Sequence, residues 1–279
     1  MDVHSRQKIC GNIYKNVNII IDYFGLVDSD IFDRSSDLDK VLNGMQLTKE
    51  NTPLKIDEIE EYCIRQSKQL TIAAKRKYMD EACVIRYVGI DNEIEIVICR
   101  LFVMIGLNYL DGHKHSLKEN FELICKLITV IKNNRSFFKI QSVSVEKSNC
   151  IYCENLYQLF GCLERARIGG IVTGNESDEK LLDSIQSSMN YLKADIAYII
   201  EETMERGDDI DGNDIYMGEL ILKGKYVPYL LEEVDVFKNL SLINDELFNV
   251  FIQYITEGFL NDLIEGKSLK VIGGVNKNE

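Results

Sequence analysis

Proline is nearly missing: Pro53 and Pro228 are the only two in 279 residues, where an ordinary chain carries roughly 5%. Proline breaks helices and punctuates loops, so its scarcity leaves the backbone free to run in long helices. Tryptophan is absent, and histidine is limited to His4, His113 and His115. None of the three sits in a nucleophile-elbow context, so no Ser/His/Asp constellation can be assembled. Long apolar runs are lacking too. The strongest, Ile94 to Leu110, is interrupted by Glu95 and Arg100. It falls short of the roughly 20 apolar residues a membrane span needs and reads as a buried helix.

The eight cysteines are scattered from Cys10 to Cys162, and the N-terminus lacks the basic-then-apolar pattern of a signal peptide. Both features point to a reducing, cytoplasmic compartment. A formal net charge of −13 and a pI near 4.8 argue against general affinity for nucleic acid or anionic membrane, because that affinity comes from neutralising phosphates with Lys and Arg. Heavy use of Ile, Lys and Asn fits an AT-rich, low-GC genome. With 46% apolar residues the chain can bury a core without disulfide or metal staples.

The spacing of apolar residues predicts a mainly α protein: a multi-helix, bundle-like or two-lobed helical array with a small β element. Helical spacing connects Ile9, Ile13, Val17, Ile20 and Phe24, and again Leu117, Phe121, Ile124, Ile128 and Ile131, the latter opened by a Ser116-x-x-Glu119 capping pattern. A short helix is expected around Leu38 to Met45 and a long one from Ile56 to about Val88. Leu182, Ile185, Met189, Leu192, Ile196 and Ile199 alternate three and four apart like a heptad seam. Asp245 to Ile264 supplies a matching helix. Phe137 to Val145 is the best strand candidate, and Tyr216 to Leu231 reads as a short hairpin turning at Lys223-Gly224. There is no internal sequence repeat. Residues 1–134 and 135–279 form two helical regions or one continuous domain.

The chemical candidates are few. Cys150-Ile-Tyr-Cys153 follows the strand candidate and opens an expected helix from Cys150 to Ile168, a position that lowers a thiol pKa. This strand–CxxC–helix order resembles the active-site segment of thioredoxin-like oxidoreductases, and the resemblance gives Pro228 the place of the cis-proline opposite the dithiol. A zinc site from Cys150, Cys153 and Cys162, completed by His113 or His115, is the alternative use of the same residues. Asp209, Asp211 and Asn213 imitate the start of a calcium loop, but Asp214 and Leu220 occupy the positions that need Gly and Glu. Arg65, Lys68, Lys75 and Arg76 share one arc of the second helix, a local basic stripe for an acidic partner or a phosphate backbone.

No cofactor is required by these patterns, zinc being the alternative. The reading they favour is a non-enzymatic, intracellular interaction protein. It would be an accessory or regulatory subunit of a larger assembly, meeting another protein or a second copy of itself through amphipathic helices, with no membrane contact. A thiol redox or zinc protein centred on Cys150 and Cys153 stands second. A metal-dependent nucleic-acid or nucleotide enzyme without a visible motif stands third.

Overall fold

A computed structural model describes residues 14–24, 35–50, 85–98, 102–109, 115–133, 138–163, 184–208, 214–229 and 233–265. Their architecture corrects the all-α, helical-bundle expectation. Nine strands form one antiparallel sheet, and the helices are fewer and shorter in total. In chain order the elements are β1 (Tyr14–Phe24), α1 (Ser35–Val41), β2 (Leu47–Glu50), β3 (Ile85–Gly89), β4 (Ile94–Ile98), β5 (Phe102–Asn108) and α2 (Leu117–Asn133). There follow β6 (Lys139–Cys153), α3 (Leu156–Cys162), β7 (Ser184–Lys193), β8 (Ile196–Asp208), β9 (Asp214–Tyr226), α4 (Val236–Tyr254) and α5 (Glu257–Ile264). Scarce proline served long strands here, since proline removes ladder hydrogen bonds as surely as helical ones.

The strand order β2-β3-β4-β5-β1-β6-β9-β8-β7 repeats one plan in two halves, with four described meander strands in the first and three in the second, a likeness that the sequence does not show. Each half begins with a long central strand, continues through a short helix, then runs a meander whose last strand returns beside the first: β5 next to β1, and β9 next to β6. Each half then sends a long helix, α2 or α4, across the sheet. The two first strands pair antiparallel at the seam, with Val17 opposite Lys147, Ile19 opposite Val145 and Ile21 opposite Val143, so an approximate two-fold axis passes between β1 and β6. The turns agree. β3 and β4 are joined through Asp91 and Asn92 at φ 53° and 56°, and β7 and β8 through Ala194 and Asp195 at φ 50° and 62°. Two consecutive left-handed residues match the right-handed twist of a hairpin.

Four sequence expectations fail, the first two for one physical reason. A strand buried on both faces has no polar alternation, and its apolar run is compatible with helical spacing. Val17, Ile19, Ile20 and Ile21 are all buried in β1, so the expected first helix is a central strand. Within 94–110 the described residues form two strands, β4 and β5, in place of the single helix expected. The heptad-like run is the β7–β8 hairpin, whose turn shifts the pattern so that Leu192 stays exposed while Ile196 is buried. Lys223-Gly224 lies inside β9 and makes no turn. The expected helix over 56–88 falls outside the described residues except for its end, which is β3. The helix from Leu117 is present, with the Glu119 N–H donating to Ser116 Oγ at 3.3 Å. Asp245 to Ile264 is helical in two pieces, with Thr256 accepting from the Phe259 N–H at the start of α5.

The core lies between one sheet face and the helices. Ile96, Ile105, Val145 and Leu222 from the sheet meet Ile124, Leu127 and Ile131 of α2 and Leu240, Ile243 and Leu247 of α4. Each such side chain stabilises the fold by about 1.5–3 kcal/mol relative to exposure. The two helices touch through Phe121 and Phe237, edge to face at 6.4 Å. Gly224 lets α4 approach β9: a Cβ there would run into the Ile243 side chain and the Tyr198 ring. Two charged residues enter this layer. Lys147 donates to Asn244 Oδ1 at 2.6 Å, and the Glu202 carboxylate receives the Ser187 hydroxyl at 3.3 Å.

Two outcomes follow from this packing. Gly224→Ala should lose about 1–3 kcal/mol in denaturant unfolding, the usual penalty for overpacking. Wild-type stability would show that α4 is not seated there. Burial raises the Glu202 carboxyl above its ordinary range, partly offset by Ser187, so the fold favours its neutral form. The cost of the charged form applies above the folded-state pKa and vanishes below the ordinary value near ~4.3. Glu202→Gln should therefore raise the melting temperature at pH 8 by roughly 2–4 °C, with the gain disappearing as pH falls below ~4.

Candidate functional site

The described helices pack on one side of the sheet, so strand alternation places every second residue on the opposite face. That second face differs between the two halves. Around the seam and at two positions of the first half it is buried: Ile20, Asp22, Val97, Phe102 and Ser142 are covered there, with the Ser142 hydroxyl donating to Asp22, while Asn18, Arg86, Glu95 and Met104 on the same face are half-buried. Over β7, β8 and β9 it is open. Gln186, Ser188, Asn190 and Leu192 are exposed along β7, Ala197 and Glu205 are exposed on β8, and Ile199, Met217 and Ile221 are half-buried. Leu192, at 72% exposure, is the most outward apolar side chain of this surface.

Ion pairs across adjacent strands set its electrostatics. Lys223 of β9 lies 3.5 Å from Glu146 of β6 and 3.3 Å from Glu201 of β8. Outside this surface, on the same face of the first half, Arg86 of β3 is placed the same way between Glu95 of β4 and Glu50 of β2. Each cation is outnumbered by carboxylates of its neighbours, so neither is left to hold phosphate. Glu219, the next outward residue but one along β9, accepts from Ser148 Oγ at 2.8 Å. The surface offers amides, hydroxyls, aliphatic side chains and compensated charge. Among the described residues this surface brings together no nucleophile, base and oxyanion donor.

The sequence-derived site residues are placed differently from expectation. Cys150 lies inside β6 and not at a helix start; α3 begins only at Leu156 and has Asn155 as its cap. Three positions along a strand put Cys150 and Cys153 on opposite faces. Cys150 is half-buried on the open side, with Sγ 3.7 Å from Glu219 Oε1, and burial together with that carboxylate pushes its pKa up. Cys153 and Cys162 are buried together on the helix side, and their mutual hydrogen bond and burial hold the Cys153 thiol protonated. His115 stands apart after β5, its Nε2 2.8 Å from the Asn108 carbonyl and its ring edge-on to Tyr109. Thus Cys153 and Cys162 meet, while Cys150 and His115 do not join them. Among the described residues no group of three His, Cys, Asp or Glu side chains is arranged to hold a metal ion, and no peptide bond is cis, that before Pro228 included. His113, Arg65, Lys68, Lys75, Arg76 and residues 209–213 lie outside the described residues.

The residues that sequence reasoning missed are the outward ones of β8 and β9: Ile199, Glu201, Ile221 and Lys223. A signal for them existed. From Tyr216 to Tyr226 every second residue is Tyr, Gly or Leu, a strict period of two that marks one face inward and the other outward.

The thiol geometry predicts slow chemistry. At pH 7, iodoacetamide should modify Cys150 and Cys153 in the folded protein more slowly than it modifies glutathione. Mass spectrometry of the modified peptides checks this, and a Cys150 rate above that of glutathione would contradict the raised pKa.

No protein-family model matches the chain, and no curated protein matches it. Among solved structures it is similar to the substrate-free duplicated taurocyamine kinase from Schistosoma mansoni, with a TM-score of 0.36 and 7% identity over 87% of this chain and 32% of that one. The chain thus spans about a third of the length of that kinase. A likeness at that level identifies neither fold nor activity.

Proposed function

We propose that the protein is a non-enzymatic subunit of a larger macromolecular assembly, and that the open sheet face of β7, β8 and β9 is its docking surface. One observation carries this reading: this face of the sheet is buried at the seam and at Val97 and Phe102, and exposed along β7 from Gln186 to Leu192. Leu192, Ile199 and Ile221 supply apolar area, and Gln186, Ser188 and Asn190 supply directional hydrogen bonds, the mixture typical of non-obligate interfaces. Among the described residues no helix is long and apolar enough to cross a membrane.

The carboxylates around Lys223 and the net charge of −13 oppose a nucleic-acid occupant, so a protein partner is the reading and nucleic acid its competitor.

A photo-crosslinking amino acid at Ser188 in cells of the native host distinguishes the two. A specific protein adduct is expected at Ser188, lost when Ile199 and Ile221 are both changed to Lys, and absent when the crosslinker sits at Lys126 on α2. Capture at Lys126 alone, or capture indifferent to the two substitutions, would overturn the docking assignment. Binding of labelled duplex DNA that weakens linearly in log–log fashion with salt would instead select the nucleic-acid occupant.

A further inference from the structure

On the helix side, remote from the open face, a cleft of about 460 Å³ lies between the C-terminal half of α2, the entry to β6 and the first turn of α4. Its size falls within the ~300–1,000 Å³ range of small-ligand sites. We propose that this cleft binds a small zwitterion with an apolar side chain, of amino-acid or dipeptide size. The assignment is independent of the docking face.

Phe138, Ile140, Ile128 and Phe237 line the cleft and give an apolar body something to bury against. Lys132 and Lys139 contribute positive charge, and Glu233 and Asp235 contribute negative charge. Among the described residues Lys132, Lys139 and Glu233 make no ion pair. Asp235 has one oxygen engaged, accepting from the Lys238 N–H at 3.0 Å to cap α4. An anion alone would face the carboxylates and a cation alone the ammonium groups. A ligand carrying both charges meets each with its opposite, and its apolar part adds burial that neither charge supplies.

The cleft also contains its own reporter. Cys125 is half-buried in its wall, and burial, with Asp235 and Glu122 nearby, pushes the thiol up to about 11. It is inert at neutral pH and alkylatable at alkaline pH. The protein has no Trp, so a tryptophan-bearing probe is seen without background.

The test uses the full chain and the dipeptide Trp-Leu with free termini. Its fluorescence should shift to the blue on binding, with a Kd of ~0.1–1 mM, and saturating dipeptide should slow alkylation of Cys125 at pH 9 roughly tenfold. The same dipeptide with acetylated and amidated ends should do neither. Lys139→Glu and, separately, Lys132→Glu should each weaken binding about tenfold while unfolding at the wild-type temperature. Unchanged alkylation and fluorescence with the zwitterion would overturn the proposal. So would equal protection by the capped dipeptide, or full binding by both charge-reversed variants.

Discussion

The pairing of β1 with β6 is the interaction on which the rest of the structure depends. It is the seam where two similar halves become one sheet, and every other long-range relation is arranged around it. Its register places Ile19 and Ile21 opposite Val145 and Val143, all on the helix side, so a slip of one residue would turn that apolar set to the wrong face. The same seam carries the buried Asp22–Ser142 hydrogen bond on the other face. A polar pair left unmatched there would cost about 1–3 kcal/mol, which penalises any shifted alignment.

Around that axis the two halves keep the same plan but not the same surface. α2 and α4 cover one face symmetrically and meet through Phe121 and Phe237. On the opposite face Ile20, Val97 and Phe102 of the first half are buried, while β7 is exposed from Gln186 to Leu192. The cross-strand ion pairs of Lys223 and Arg86 fit this division. They satisfy charge locally on partly exposed strands, where each pair is worth little in stability and holds its side chains in a fixed arrangement.

Legibility in the sequence follows burial. α2 has one buried stripe and a solvated back, so its helical period and its Ser116 cap can be read directly. β9 alternates strictly and is equally legible in principle. β1 and β4 bury consecutive residues on both faces, Ile19 to Ile21 and Ile96 to Ile98, and the information that separates strand from helix is then erased from the apolar pattern. The β7–β8 run imitates a heptad because a two-residue turn shifts the phase of two strands. The likeness of the two halves lives in the order of strands and in two left-handed turns, Asp91-Asn92 and Ala194-Asp195, which share geometry without sharing sequence. The open face was hidden for another reason. Which side of a sheet remains exposed is decided by elements far away in the chain, and local spacing carries no trace of that.

The distance along the chain between the seam strands has a consequence for biosynthesis. Asp22 and Ser142 are 120 residues apart, while the β3–β4 and β7–β8 hairpins close within a few residues. On the ribosome the first half can form its meander before β6 has been made, leaving the edge of β1 bare during that interval. That edge is built to meet a strand related to it by two-fold symmetry. Until β6 arrives, that edge is a row of unpaired backbone groups of the kind that templates pairing with another chain.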